Sequence, residues 1–215
     1  EIRSNPGVER LAANPLLLSM LALLRRQVGR LPQQRIKLYA QYMGALIDVW
    51  ETNRTPGGRA AAPSRPDSTK AELVLIPLAL WLQQHRGSGT ATRADIVSQI
   101  AKEYLREEGF DPEKRKPAIP PDKRREAETR ADKFLEDMRQ FSGLLVDRGQ
   151  DAFGFRHLTF QEYFAGRGLA RMNATQRWKL IQPNLHSNRW REPILLCAGQ
   201  LGVVPGQISA TSQLE

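Results

Sequence analysis

Between Leu144 and Phe155 the hydrophobic pattern changes period, and few folds accommodate what lies on either side of that change. Leu144-Leu145-Val146, then Asp147-Arg148-Gly149-Gln150-Asp151, then Ala152-Phe153-Gly154-Phe155 reads as a short strand, a turn and a second strand. Helical segments precede it. Thr69 with Glu72 forms a capping box that opens a helix to about His85 through Leu73, Ile76, Leu80 and Trp81. Pro77 lies inside it and should kink it or mark a later true start. Gly87-Ser88-Gly89 is a turn, and Thr92 with Asp95 caps a second helix whose core face is Ile96, Val97, Ile100, Tyr104 and Leu105. Residues 109 to 123 combine Gly109, prolines and alternating charges and read as an exposed loop. A third helix runs from about Arg124 to Phe141. Three helices followed by a β-hairpin predict a winged helix.

The hairpin leads straight into Phe155-Arg156-His157-Leu158-Thr159-Phe160-Gln161-Glu162-Tyr163-Phe164-Ala165. Thr159 and Glu162 are spaced as a capping box, so a helix is predicted to start there, with Leu158 and Tyr163 placed to close as a hydrophobic staple. His157 then stands beside a helix N-terminus. Exposed N–H groups and the positive end of the macrodipole favour an anion at such a place, and an imidazole adds a directed donor. A phosphate would suit this corner; a histidine before a helix also serves as an ordinary surface or packing residue.

Toward the N-terminus, Asn5-Pro6 and Asn14-Pro15 each present a capping side chain followed by proline at the first helical position. They predict a short helix over about 6 to 12 and an apolar, buried one from Pro15 to about Gln27. From Pro32 to about Thr52, Ile36, Tyr39, Met43, Leu46, Ile47 and Trp50 fall on one helix face. Residues 53 to 68 have the composition of a flexible linker. Past Ala170 the chain turns helical again. The expected class is mainly α: a small helical domain over 1–53, a linker over 54–68, a winged-helix domain with a short β-hairpin over 69–170, and the start of a second helical domain over 171–215.

The run Phe155, His157 and Thr159 to Phe164 resembles the signature that closes the winged-helix part of NACHT-type signalling ATPases. These belong to the STAND class, which includes animal inflammasome receptors and bacterial defence proteins. Asn14-Pro15-Leu16-Leu17-Leu18, Leu31-Pro32, Arg35, Leu38-Tyr39 and Trp50 resemble the family's first helical domain, and Trp190-Arg191-Glu192 its second. The resemblance implies that His157 contacts the β-phosphate of bound ADP and that Pro15 lines the adenine side of the pocket. Pro15 as a plain helix starter explains that residue equally well. The resemblance further implies an upstream nucleotide-binding core that holds ADP or ATP with Mg2+, self-oligomerisation on activation, C-terminal sensor repeats, a cytoplasmic location and a role in innate immune signalling.

No G-x-x-x-x-G-K-[ST] loop occurs in the sequence, so the chain is not expected to hydrolyse ATP by itself. His85, His157 and His186 are not spaced as metal ligands, and Cys197, in an apolar run, reads as a buried small hydrophobe. No apolar run approaches the roughly 20 residues of a membrane span. The net charge of +9 raises a rival reading, a winged-helix DNA-binding module. Its reading helix would be the third, where acids alternate with bases from Arg124 to Lys133, and carboxylates aimed at phosphates oppose binding.

Overall fold

The computed structural model describes residues 35–54, 67–114 and 118–203, with residues 18, 19 and 22 besides. In chain order the described elements are α1 (Arg35–Arg54), α2 (Asp67–His85), β1 (Thr90–Thr92), α3 (Arg93–Glu107), α4 (Pro121–Asp137), β2 (Leu145–Asp147), β3 (Ala152–Phe155), α5 (Leu158–Arg171), α6 (Ala174–Ile181) and α7 (Asn188–Val203). Pro15 and the predicted helix over 6 to 12 lie outside the described residues, as does most of the helix from Pro15. Leu18 is helical as predicted but 43% exposed.

The winged-helix order is α2, β1, α3, α4, β2, β3. Its sheet is antiparallel with strand order β1-β3-β2, so the predicted hairpin gains a third strand that the periodicity did not announce. Thr90-Ala91-Thr92 pairs with Gly154, Phe153 and Ala152, and three residues are too few to show alternation. Gly154 is required there: a Cβ would sit 2.7 Å from the Gly89 carbonyl oxygen. At the hairpin tip Gly149, Gln150 and Asp151 all adopt left-handed backbone (φ 83°, 52° and 58°), and the Asp147 carboxylate accepts from the Gly149 N–H at 2.7 Å. An Asx-type turn of this kind offsets the cost of left-handed conformations at non-glycine residues.

Some predicted helix boundaries move. The cap of α3 is as expected, with the Thr92 hydroxyl accepting from the Asp95 N–H at 3.1 Å. By contrast α2 begins at Asp67, ahead of Thr69, and continues through Pro77. Glu72, expected to reach back to a cap, instead bonds Arg167 of α5, with Arg171 at 3.8 Å. A tertiary partner took the carboxylate. The third helix starts at Pro121 rather than Arg124, because proline at the first helical position lacks only an N–H that had no helical partner. It passes into a π-helical turn, Met138–Ser142, that ends on left-handed Gly143 (φ 62°).

Helix α5 is the axis of the described residues, packed between α2 on one side and α7 on the other. Phe160, Tyr163, Phe164, Ala165 and Leu169 are buried. Two glycines make the double contact possible. A Cβ on Gly166 would meet Leu196 and the Pro193 carbonyl of α7 at 2.9 Å, and one on Gly168 would meet Leu80 of α2 at 3.2 Å. Two buried amides join all three helices: Gln161 donates to Gln83 (3.0 Å), and Gln83 donates to the Arg189 carbonyl (2.9 Å). Arg189 in turn donates to the carbonyls of Leu82 and Arg86 at the end of α2. Cys197 is fully buried, and burial pushes its thiol up to about 11, as befits a packing residue.

Candidate functional site

The chain leaves β3 at Phe155, bends at Arg156 and His157, and enters α5 at Leu158. His157 is the N-cap, with extended backbone (φ −126°, ψ 136°), and its carbonyl accepts from the Phe160 N–H at 3.0 Å. Here the structure corrects the expected capping box. Thr159 lies inside the first turn, the N-cap residue His157 makes no side-chain capping bond, and Leu158 is 54% exposed, so it does not staple onto buried Tyr163. The reason is tertiary: Phe160, Tyr163 and Phe164 must face the core, and that demand starts the helix before the hydroxyl that local chemistry would choose.

The half-buried His157 ring stands edge-on to Phe160, with centroids 5.0 Å apart. Among the described residues neither ring nitrogen has a hydrogen-bond partner. Two guanidinium groups flank it. Arg148, from the hairpin tip, donates through one Nη2 to the carbonyls of both Phe155 (2.7 Å) and Arg156 (2.8 Å). Arg156 donates from Nε to the Gly143 carbonyl at 2.8 Å, and its guanidinium passes so close over Gly143 that a Cβ there would lie 2.8 Å from Nη2. Neither arginine pairs with a carboxylate among the described residues. Tyr42 of α1 completes the corner, its ring centroid 6.0 Å from that of Phe160. Burial raises its phenol above the usual range and the nearby Arg156 charge opposes the rise.

Burial, then the charges of Arg156 and Arg148, hold the His157 imidazole below its ordinary 6.5. A lowered histidine binds fewer protons when folded than when unfolded, so its contribution to stability is present above pH 6.5 and declines as pH falls below it. His157→Gln is therefore expected to flatten the fall in stability on acidification below that pH, read by urea unfolding of both proteins across the range. Identical pH slopes would sink the assignment. A bound phosphate would do the reverse and draw a proton onto the ring.

The sequence had marked His157 but not Arg148, Arg156 or Tyr42. Arg156 lay within the stretch already singled out, and two arginines bracketing a hairpin return were the available signal. Elsewhere a groove of about 500 Å3 opens between α2, α3 and α4, floored by Ala71, Val74 and Phe134. Its rim carries both signs of charge, and no residue of the His157 corner lines it. On α4, Arg130 pairs with Glu107 and Glu108, Lys123 with Glu108 and Glu126, and Asp132 with Arg93. No helix among the described residues is long and apolar enough to cross a membrane.

Three helices, a three-stranded sheet and a wing define a winged helix-turn-helix domain, carried here between further helices. Residues 35–169, more than half of the chain, match the family described as the winged helix-turn-helix domain C-terminal to NACHT. The chain belongs to that family. Comparison with curated proteins and with solved structures returned no match.

Proposed function

We propose that this chain is the nucleotide-sensing, autoinhibitory arm of a NACHT signalling ATPase of the STAND class. ADP held by a NACHT core, with its Mg2+, is gripped from this side by His157 at the β-phosphate and by Pro15 at the adenine, and the arm stays shut. Exchange for ATP releases the arm and exposes a surface on which the protein oligomerises in the cytoplasm, under the control of C-terminal sensor repeats. The chain itself does not hydrolyse ATP.

One observation carries this reading: in a NACHT-associated domain, His157 sits at a helix N-terminus with ring nitrogens that no described residue bonds, between two arginines that no described acid neutralises. Such a corner is built for an anion. ADP favours the closed state only by as much as its contacts are better there, so His157 must bind differentially. A hydrogen bond to a charged group contributes about 1.5–3 kcal/mol, enough for partial autoactivation when it is lost. The pairing of α4 charges with acids weighs against the DNA-binding alternative, which needs those bases free for phosphates.

The test is the nucleotide content of a polypeptide joining this chain to its NACHT core, purified without added nucleotide, as wild type and as His157→Ala. Stoichiometric ADP in the wild type and its loss from the variant are expected. Equal content in both, or none in either, ends the phosphate role of His157.

A further inference from the structure

The hairpin tip reaches back to the His157 corner through a single side chain. Arg148 lies on the wing turn, its own N–H donating to the Ala152 carbonyl at 2.7 Å, while its guanidinium spans to the carbonyls of Phe155 and Arg156. In a straight strand successive carbonyls point to opposite sides. They converge on one Nη2 here because the chain bends at Arg156 and His157, and the two hydrogens of that nitrogen suit two acceptors. The bend is the step that turns strand β3 into helix α5. It also sets the direction of the His157 side chain.

The opposite side of the bend is held as well. The Arg156 N–H donates to the Leu144 carbonyl at 2.8 Å and its Nε to the Gly143 carbonyl, so the start of the hairpin and the end of the π-helical turn both fasten to the residue before His157. Gly143 is left-handed and leaves the room that the Arg156 guanidinium occupies. With one arginine on each side, the backbone entering α5 is fixed from the wing and from α4.

We infer that Arg148 is a positioning residue that couples the wing to the nucleotide corner, aiming the His157 imidazole at the phosphate by clamping the two carbonyls before it. This rests on the reading of His157 as a phosphate contact. Its consequence is reciprocal: displacing the wing pulls the clamp and takes His157 off the phosphate, and by linkage losing the phosphate makes the wing easier to displace by the same factor. The wing is therefore a lever on nucleotide release.

The experiment uses Arg148→Ala and Arg148→Lys in two formats. In the 215-residue chain, nuclear Overhauser contacts between the His157 and Phe160 rings report the imidazole's position directly, beside the thermal midpoint. In the polypeptide carrying the NACHT core, the rate of ADP release is measured for both variants and for His157→Ala. Arg148→Ala is expected to lose the ring contacts and to release ADP about tenfold faster, the scale of one charge-assisted hydrogen bond. Arg148→Lys keeps the charge without the forked donor and should fall between. Wild-type ring contacts and wild-type release in both variants overturn the inference, as does a lowered midpoint with the contacts intact, which would make Arg148 a structural residue of the wing. If His157→Ala alone speeds release, the clamp fails and the phosphate reading stands. If it leaves release unchanged, the phosphate reading fails with it, and the ring contacts still decide whether Arg148 positions His157.

Discussion

Phe164→Ala is expected to lower the unfolding free energy by about 3–5 kcal/mol, the range for deleting a fully buried aromatic side chain. Phe164 is 0% exposed, and its ring lies 5.8 Å from Phe155 at the end of β3 and 5.2 Å from Tyr163 on the preceding position of α5. The Phe155–Phe164 contact thus spans the bend and packs the helix against the sheet. The void cannot close easily, because its walls belong to a helix gripped on two sides. Urea unfolding should show a lower midpoint with little change in slope. A loss below about 1 kcal/mol would show that the site collapses and that α5 is seated by other contacts.

Gly166→Val should be nearly as damaging, about 3 kcal/mol, for the opposite reason. Helix propensity alone predicts a gain of a few tenths to about 1 kcal/mol on replacing an interior glycine. Packing reverses the sign. The first atom added would sit 2.9 Å from the Pro193 carbonyl oxygen and 3.2 Å from the Cys197 backbone nitrogen, neither of which can swing aside as a side chain could. Helices α5 and α7 would have to separate along the most extensive helix contact among the described residues. Gly44→Ala is the matched control: a Cβ added there would meet nothing within 4 Å, so the propensity gain should appear as greater stability. If both substitutions stabilise, the close approach of α5 and α7 is wrong.

The distance between local signal and tertiary outcome is clearest at the entry to α5. Thr159 and Glu162 have the spacing of a capping box, yet the helix begins at Leu158 and His157 takes the cap. Capping chemistry is worth about 1 kcal/mol, whereas burying Phe160, Tyr163 and Phe164 together is worth several times that, so the aromatic residues set the phase. Glu72 has the same spacing from Thr69, yet it is drawn into an ion pair with Arg167, a residue 95 positions distant. The Thr92 hydroxyl does cap α3, because that bond needs only a hydroxyl and a backbone N–H, while the Asp95 carboxylate goes to Arg86. His157 stands out as a candidate because it lies within a contiguous motif. Arg148 and Arg156 do not, since an arginine in a turn looks like solvated charge until the turn is folded back onto its neighbours.

What the sequence determined by itself is the fold class and the order of the helices and the hairpin. Periodicity of 3.6, its switch to 2 near Leu144, and glycine at the hairpin tip are local properties, each fixed by a few neighbouring residues. Only the tertiary structure decided that Thr90–Thr92 closes the sheet, that Gly166 and Gly168 let α5 pack on two sides, and that two arginines converge on His157. Those depend on pairs far apart in the chain, whose meeting is set by burial of the common core rather than by any spacing along the sequence.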